Sequence, residues 1–203
     1  SSAASDVYKR QAVDREKYRY SVQKREEIRG SMGITDQFVI GHVGNFCYQK
    51  NHYFLLDVFE EVHKKDPNTV LLLAGDGVRF EKVRQIVAEK NLEDVVKLLG
   101  RRSDTDYLYQ GMDAFLLPSN FEGLPIAGIE AQSAGLPCFM SDEITKESKI
   151  TEACYFIPLK SGAKYWAEEI LDNRMERQSA EFLDNAEQYD LANQDQELKS
   201  LIR

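Results

Sequence analysis

The stretch TVLLLAGDG, residues 69–77, decides the fold class. Its first six residues form an apolar run without alternation, which is typical of a strand buried on both faces of a sheet. The Gly-Asp-Gly that follows predicts a sharp turn, because glycine adopts backbone conformations that other residues avoid. We therefore expect a parallel sheet with a loop at the carboxyl end of this strand.

The same pattern repeats on both sides of this stretch. Further apolar segments predict strands at residues 38–43, 95–99, 114–117, 137–140 and 155–157. Apolar residues at helical spacing predict helices at residues 51–65, where Asn51 would be the cap, and near residues 80–87, 104–110 and 126–134. The sequence thus predicts an α/β fold, a Rossmann-like parallel six-stranded sheet with helices on both faces.

One such domain with appendages accounts for the length of 203 residues. Residues 1–11 (SSAASDVYKRQ) have no periodic apolar pattern and are interpreted as a non-native tail. Residues 12–33 are interpreted as an interdomain linker, extended over residues 14–20, and a helix that Ser21 caps. Residues 34–203 would form the domain itself, which ends in acidic helices.

Composition excludes several functional classes. The formal net charge of −8 disfavours nucleic-acid binding, and no apolar run approaches the roughly 20 residues of a spanning helix. Cys47, Cys138 and Cys154 match neither a disulfide framework nor a zinc spacing, so we expect reduced thiols in a cytoplasmic protein. The sequence lacks a G-x-G-x-x-G after its first strand and a P-loop, which argues against a nicotinamide, flavin or P-loop enzyme.

The segment PSNFEGLPIAGIEAQSAGLP, residues 118–137, carries the most informative chemistry. Glu122 follows a predicted strand, at the edge where parallel sheets bind ligands, and Gly123 permits close approach to the backbone. Pro125 suits the first position of a helix, whose amides and dipole favour a phosphate. Glu130 lies about two turns further on among small residues and needs donors, such as the two hydroxyls of a ribose. A salt bridge or a cap would explain either glutamate alone, but their combination favours a ligand site.

The spacing from Glu122 to Glu130 resembles the E-x7-E motif of family 4 of the retaining glycosyltransferases, which have the GT-B fold. Residues 41–51 (GHVGNFCYQKN) resemble the first donor-domain strand and loop of that family, and residues 74–77 (AGDG) resemble its second loop. Residues 141–147 (SDEITKE) are similar to the branch that builds capsular and exopolysaccharides. The resemblance implies that the chain is the C-terminal, donor-binding half of such an enzyme.

The resemblance also implies a role for each site residue. Lys50 and Glu122 would be catalytic, with Lys50 neutralising the diphosphate leaving group and Glu122 contacting hydroxyls of the donor sugar. Glu130 would bind the ribose diol, and the backbone near Arg101 would meet the nucleobase. The implied donor-binding residues are Gly44, Asn45, Lys50, Gly75, Asp76, Gly77, Arg101, Glu122, Gly123, Leu124, Pro125, Ile126 and Glu130. The amides from Gly123 to Ile126 would hold the sugar and the distal phosphate. Asn45 stands where the family usually has an arginine.

Substrates and partners follow from the same resemblance. The donor would be a UDP or GDP sugar, with no cofactor and no metal. A lipid-linked or saccharide acceptor would bind a missing N-terminal domain, so the chain alone is expected to be inactive. The whole hexosyltransferase would have no nucleic-acid partner and no transmembrane segment, and would associate peripherally with the inner face of the cytoplasmic membrane. Two alternatives stay open: a nucleotide-sugar 2-epimerase and a non-catalytic nucleotide-sugar-binding domain.

Overall fold

The computed structural model describes residues 13–191, so the interpretation of residues 1–11 as a tail lies outside the described residues. The strands are β1 (Phe38–Val43), β2 (Thr69–Ala74), β3 (Val96–Gly100), β4 (Ala114–Leu117), β5 (Cys138–Ser141) and β6 (Cys154–Ile157). The helices are α1 (Arg15–Tyr18), α2 (Val22–Ser31), α3 (His52–Lys65), α4 (Phe80–Glu89), α5 (Thr105–Gly111), α6 (Ile126–Ser133) and α7 (Gly162–Asp172). Short 3-10 helices lie at Lys146–Ser148, Leu159–Ser161 and Asp184–Tyr189.

The six strands form one parallel sheet in the order β3-β2-β1-β4-β5-β6. This confirms the predicted Rossmann-like architecture, and each observed strand boundary lies within one residue of its predicted position. The strand order reverses between β1 and β4, because the chain first builds the sheet in one direction and then returns to the other side of β1. Such a reversal opens a crevice at the carboxyl ends of the two strands.

Apolar side chains fill both faces of the sheet. Leu72 on β2 packs in the same core as Tyr109 of α5, whereas its neighbour Leu71 packs in the core on the opposite face with Trp166 of α7. Alternate residues of a strand point to opposite faces, so a strand covered on both sides must be apolar throughout. The predicted placement of helices on both faces is therefore confirmed.

The prediction of an extended chain over residues 14–20 is wrong. Asp14 accepts a hydrogen bond from the Lys17 amide at 3.1 Å and starts the four-residue helix α1. The side chain of Tyr18, at the end of this helix, is buried. The prediction that Ser21 caps the next helix is confirmed, because its hydroxyl accepts from the Lys24 amide at 3.3 Å.

Asn51 does not cap α3 with its side chain, contrary to the prediction. Its backbone is left-handed, with φ of 55°, and this turns the chain from the loop after β1 directly into the helix. Asparagine tolerates this conformation better than most residues. The residue type at this position therefore serves the turn rather than the cap.

The segment after α7 is only partly helical, although acidic helices were predicted to the end of the chain. No helix lies between residues 174 and 183. There the buried Arg177 guanidinium donates to the carbonyls of Tyr109, Met112 and Ala134, at 3.1, 2.7 and 2.7 Å. Burial lowers the pKa of Arg177 to about 10, well above neutral pH. These carbonyl contacts explain why the segment runs irregularly over the core.

Within residues 13–191, no helix combines the length and the apolarity that crossing a membrane requires.

Candidate functional site

An ion pair bridges the crevice where the strand order reverses. Lys50 lies in the loop after β1, Glu122 lies in the loop after β4, and Nζ of Lys50 donates to Oε1 of Glu122. The two side chains are only 14% and 7% exposed. The Ser119 hydroxyl donates to the other carboxylate oxygen at 2.9 Å. The carboxylate is thus held by one cation and one hydroxyl at the place where open parallel sheets bind ligands.

The loops after β1 and β4 are also joined through their backbones. The amide of Asn120 donates to the carbonyl of Gln49 at 2.8 Å, and its side-chain amide donates to the carbonyl of Tyr48 at 2.7 Å. These bonds fix the loop that carries Lys50 against the loop that carries Glu122. The ion pair is therefore built into the fold rather than formed by two flexible surface side chains.

Two buried histidines lie beside Lys50. The rings of His42 and His52 meet edge to face at 4.8 Å, and His52 stacks on Phe46 at 4.0 Å. Nδ1 of His42 contacts the Leu116 carbonyl at 2.9 Å, which fixes it as the donor nitrogen. Burial, followed by the charge of Lys50, lowers the pKa of His52 to about 4, and burial also lowers the pKa of His42. Both rings are thus neutral near pH 7.

Glycines allow the loops after β1 and β2 to interlock. Gly75 has φ of 143°, and a Cβ atom there would stand 1.9 Å from the Gly44 carbonyl oxygen. A Cβ on Gly77 would stand 2.7 Å from the Phe46 carbonyl oxygen. The amide of Phe46 donates to the carbonyl of Asp76 at 3.0 Å across the same contact. These glycines are needed because backbone lies where any side chain would be.

The start of α6 is open on the side of Gly123. This residue is exposed, and apart from its own atoms and those of its two chain neighbours, no heavy atom lies within 4 Å of the position that a Cβ would take. Pro125 immediately precedes the helix instead of being its first residue, and it has no amide hydrogen. The Ile126 amide already donates to the Leu124 carbonyl at 3.1 Å. Of the four residues whose amides were predicted to bind the donor, Gly123 and Leu124 are therefore the simplest donors.

Three other predicted residues are exposed at loop positions. Asn45 lies in the loop after β1, and Asp76 lies in the loop after β2. Arg101 follows the edge strand β3, which is two strands away from β1 in the sheet. These positions leave the side chains accessible to a ligand at the carboxyl edge.

Glu130 has two tyrosine partners that the sequence did not reveal. The hydroxyl of Tyr18 donates to its Oε1 at 2.8 Å, and the hydroxyl of Tyr109 donates to its Oε2 at 2.9 Å. Burial, reinforced by the Glu130 charge, raises the pKa of both phenols above their usual value. Tyr18, Tyr109 and Ser119 are the residues that sequence reasoning missed at this site. Ser119 lies inside the informative motif, whereas the tyrosines come from distant segments.

Across the part of the chain that the structure describes, no three histidine, cysteine or acidic side chains are grouped so that they could hold a metal ion.

Comparison with known proteins adds three findings. Residues 24–189 match the profile of the family described as "Glycosyl transferases group 1". The putative glycosyltransferase EpsF of Bacillus subtilis is 36% identical over 136 residues, which are 66% of this chain and 35% of that protein. The UDP-Gal:alpha-D-GlcNAc-diphosphoundecaprenol alpha-1,3-galactosyltransferase of Escherichia coli is 32% identical over 134 residues, 64% of this chain and 35% of that protein. The chain thus spans about a third of the length of these relatives.

A solved structure shows the same fold. HepE of Anabaena, crystallised with UDP and glucose, superimposes with a TM-score of 0.72 at 17% sequence identity. The superposition covers 94% of this chain and 55% of that protein.

Proposed function

Because the chain belongs to the group 1 glycosyltransferases, we propose that it is the donor-binding, C-terminal half of a retaining hexosyltransferase. The observation that carries the proposal is the Lys50–Glu122 ion pair at the reversal of the strand order. Nucleotide ligands bind at this place in open α/β sheets. The donor in this proposal is a sugar linked to UDP or GDP.

The ion pair suits the chemistry of a departing diphosphate. Negative charge grows on the diphosphate oxygens as the bond to the sugar breaks, and a cation aimed at them stabilises the transition state. In our proposal the Lys50 ammonium turns from Glu122 to these oxygens when the donor binds. Glu122 then accepts hydrogen bonds from sugar hydroxyls, and the Ser119 hydroxyl keeps the carboxylate in place.

The start of α6 supplies the second contact for the donor. The amides of Gly123 and Leu124 lie at the positive end of the helix dipole, which favours an anionic group. Gly123 leaves space there for a ligand to approach the backbone. This arrangement needs no metal ion, because a lysine and a helix terminus together balance the phosphate charge.

The acceptor and the location are part of the same proposal. The name of the Escherichia coli relative states a lipid-diphosphate-linked acceptor, and the relative is almost three times as long as the matched segment. We propose an acceptor of this lipid-linked or saccharide class, bound by a second domain, in cell-surface polysaccharide synthesis at the cytoplasmic side of the membrane. In this proposal the 203-residue chain binds nucleotide but transfers no sugar by itself.

Calorimetric titration of the 203-residue chain with UDP, GDP and their monophosphates tests this function. We expect a diphosphate to bind more tightly than its monophosphate, because Lys50 neutralises the distal phosphate. Lys50→Ala should weaken diphosphate binding about tenfold, the size of one charge-assisted hydrogen bond, and leave monophosphate binding within about twofold.

Lys65→Ala is the matched control, because Lys65 pairs with Glu168 on the exposed surface. It should change neither affinity. Failure of both UDP and GDP to bind the chain would reject the proposed donor site. Sugar transfer by the chain alone would reject its division into a donor half and an acceptor half.

A further inference from the structure

A cluster of three side chains joins the first helix to α6. It consists of Tyr18, Tyr109 and Glu130, and each carboxylate oxygen of Glu130 accepts one phenol hydroxyl, at 2.8 and 2.9 Å. We call this cluster the tyrosine clamp. We propose that Tyr18 is a positioning residue which, together with Tyr109, orients Glu130 to accept the two hydroxyls of the donor ribose. This inference rests on the proposed function, because it assumes that a nucleotide binds at this edge.

The number of acceptor sites on Glu130 supports this role. An ionised carboxylate offers about four lone-pair positions, two on each oxygen. The tyrosines take one position on each oxygen, so one position stays available on each. Two vicinal hydroxyls of a ribose match this arrangement, since each can donate to a different oxygen. With the tyrosines in place, the carboxylate is held by hydrogen bonds without losing its capacity to accept a diol.

Both tyrosines are themselves held in place. The Tyr109 side chain is fully buried, and its ring meets the rings of Tyr18 and Phe115 at 5.7 and 5.8 Å. The backbone of Tyr18 is fixed by Gln110, whose side-chain amide donates to the Tyr18 carbonyl at 3.0 Å. Only 6% of Tyr18 is exposed. The clamp therefore has little freedom to rotate away from Glu130.

The phenols act as donors to Glu130 under ordinary conditions. Burial and the neighbouring carboxylate raise the pKa of both tyrosines above the usual value, so both keep their hydroxyl hydrogen near neutral pH. Neutral donors orient the carboxylate and leave its negative charge uncompensated. A lysine or an arginine would neutralise that charge. Glu130 thus retains its full attraction for ribose hydroxyls.

Titration of the 203-residue chain with UDP and with 2′-deoxy-UDP tests the clamp. We expect the unmodified chain to prefer UDP, because the 2′-hydroxyl donates to Glu130. Tyr18→Phe removes one hydrogen bond to a charged group and should lower UDP affinity about fivefold. The affinity for 2′-deoxy-UDP should change by less than about twofold, because that ligand cannot use both oxygens. Tyr109→Phe should produce the same selective loss.

Tyr165→Phe is the matched control, since Tyr165 is exposed on the surface of α7 and its loss of a hydroxyl should affect neither nucleotide. If Tyr18→Phe lowers the affinity for UDP and for 2′-deoxy-UDP equally, Tyr18 is only a packing residue and the proposed role of the clamp is wrong. Tighter UDP binding by Tyr18→Phe would also overturn it, because Tyr18 would then compete with the ribose. If UDP binds without any preference over the deoxy form, the clamp fails while the donor site stands. If neither nucleotide binds, the proposed function fails with it.

Discussion

The two glutamates that begin and end residues 122–130 have opposite surroundings. Glu122 contacts a cation, Lys50, whereas Glu130 contacts two neutral phenols, Tyr18 and Tyr109. A carboxylate paired with a lysine must exchange that partner when a charged ligand arrives. A carboxylate held by phenols keeps both its charge and its spare acceptor positions. In our proposal, Glu122 therefore changes its partner when the donor binds, whereas Glu130 is already oriented before the donor arrives.

The largest expected effect comes from removing the cation that pairs with Glu122. Lys50→Met leaves the nearly buried Glu122 carboxylate without its cation, and breaking a buried pair in this way costs about 3 kcal/mol. Urea unfolding of the 203-residue chain measures the loss. The double variant Lys50→Met/Glu122→Gln should recover most of this stability, because no charge is then left unpaired.

Lys65→Met provides the comparison, since the exposed Lys65–Glu168 pair should contribute less than about 1 kcal/mol. If Lys50→Met lowers the free energy of unfolding no more than this control does, water rather than Lys50 compensates the Glu122 charge. The contrast between Glu122 and Glu130 then disappears.

The second largest effect should come from lowering the pH, because protonation of His52 opposes folding. The folded pKa of His52, lowered by burial and then by Lys50 and Arg79 to about 4, lies below its unfolded value of 6.5. The unfolded chain therefore binds more protons between these values, and folded stability falls as the pH falls through this window. From pH 7 to pH 5 the expected loss is about 2 kcal/mol from His52 alone. Urea unfolding at each pH measures it.

His52→Phe keeps a ring against Phe46 and should remove that part of the pH dependence. If the loss from pH 7 to pH 5 is as large in His52→Phe as in the unmodified chain, His52 does not carry the effect. A smaller dependence that remains is expected from His42, whose pKa burial also lowers.

Glu130→Gln tests the contrast between the two glutamates, because it should change the free energy of unfolding less than Lys50→Met does. Its partners are neutral, and the amide oxygen can still accept one phenol, so the loss of the other hydrogen bond should lower the free energy of unfolding by about 1 to 2 kcal/mol. In our proposal the same variant weakens UDP binding about tenfold, because one ribose hydroxyl loses its acceptor. Unfolding and calorimetry together separate the two effects. A stability loss as large as that of Lys50→Met would mean that the two ends are equivalent.

The smallest expected effect comes from adding a charge to the loop that carries Lys50. Asn45 is exposed in the loop after β1, and Asn45→Arg should tighten UDP binding about threefold, the size of an exposed ion pair. In our proposal the added cation faces the distal phosphate, so UMP affinity should change less than UDP affinity. An equal gain for UMP and UDP, or no gain in calorimetry, would place Asn45 away from the diphosphate.

Local pattern was sufficient to predict the strands and most helices. A strand such as β2 is apolar throughout because it is covered on both faces, and that property is visible in consecutive residues. The placement of Lys50 near Glu122 also follows from topology, since the loops that carry them follow strands that are neighbours in the sheet. Helix α1 was missed because its four residues are too few to show a periodic pattern.

The partners of Glu130 could not be predicted for a different reason. Tyr18 is 112 residues away in sequence, and Tyr109 is 21 residues away. From sequence alone, a tyrosine at position 18 or 109 is interpreted as an ordinary packing residue, because the local sequence does not show where its hydroxyl points. Arg177 was missed likewise, since its contacts with three carbonyls depend on how an irregular segment crosses the core.

The interlocked glycine loops have a kinetic consequence. Gly75 and Gly77 leave no space between the loops after β1 and β2, so neither loop can move without displacing the other. The two loops lose their conformational freedom when the chain folds, so this entropy cost is not paid again when a nucleotide binds. In our proposal the association of nucleotide therefore follows a single phase set by diffusion and orientation, without a slow ordering step in these two loops.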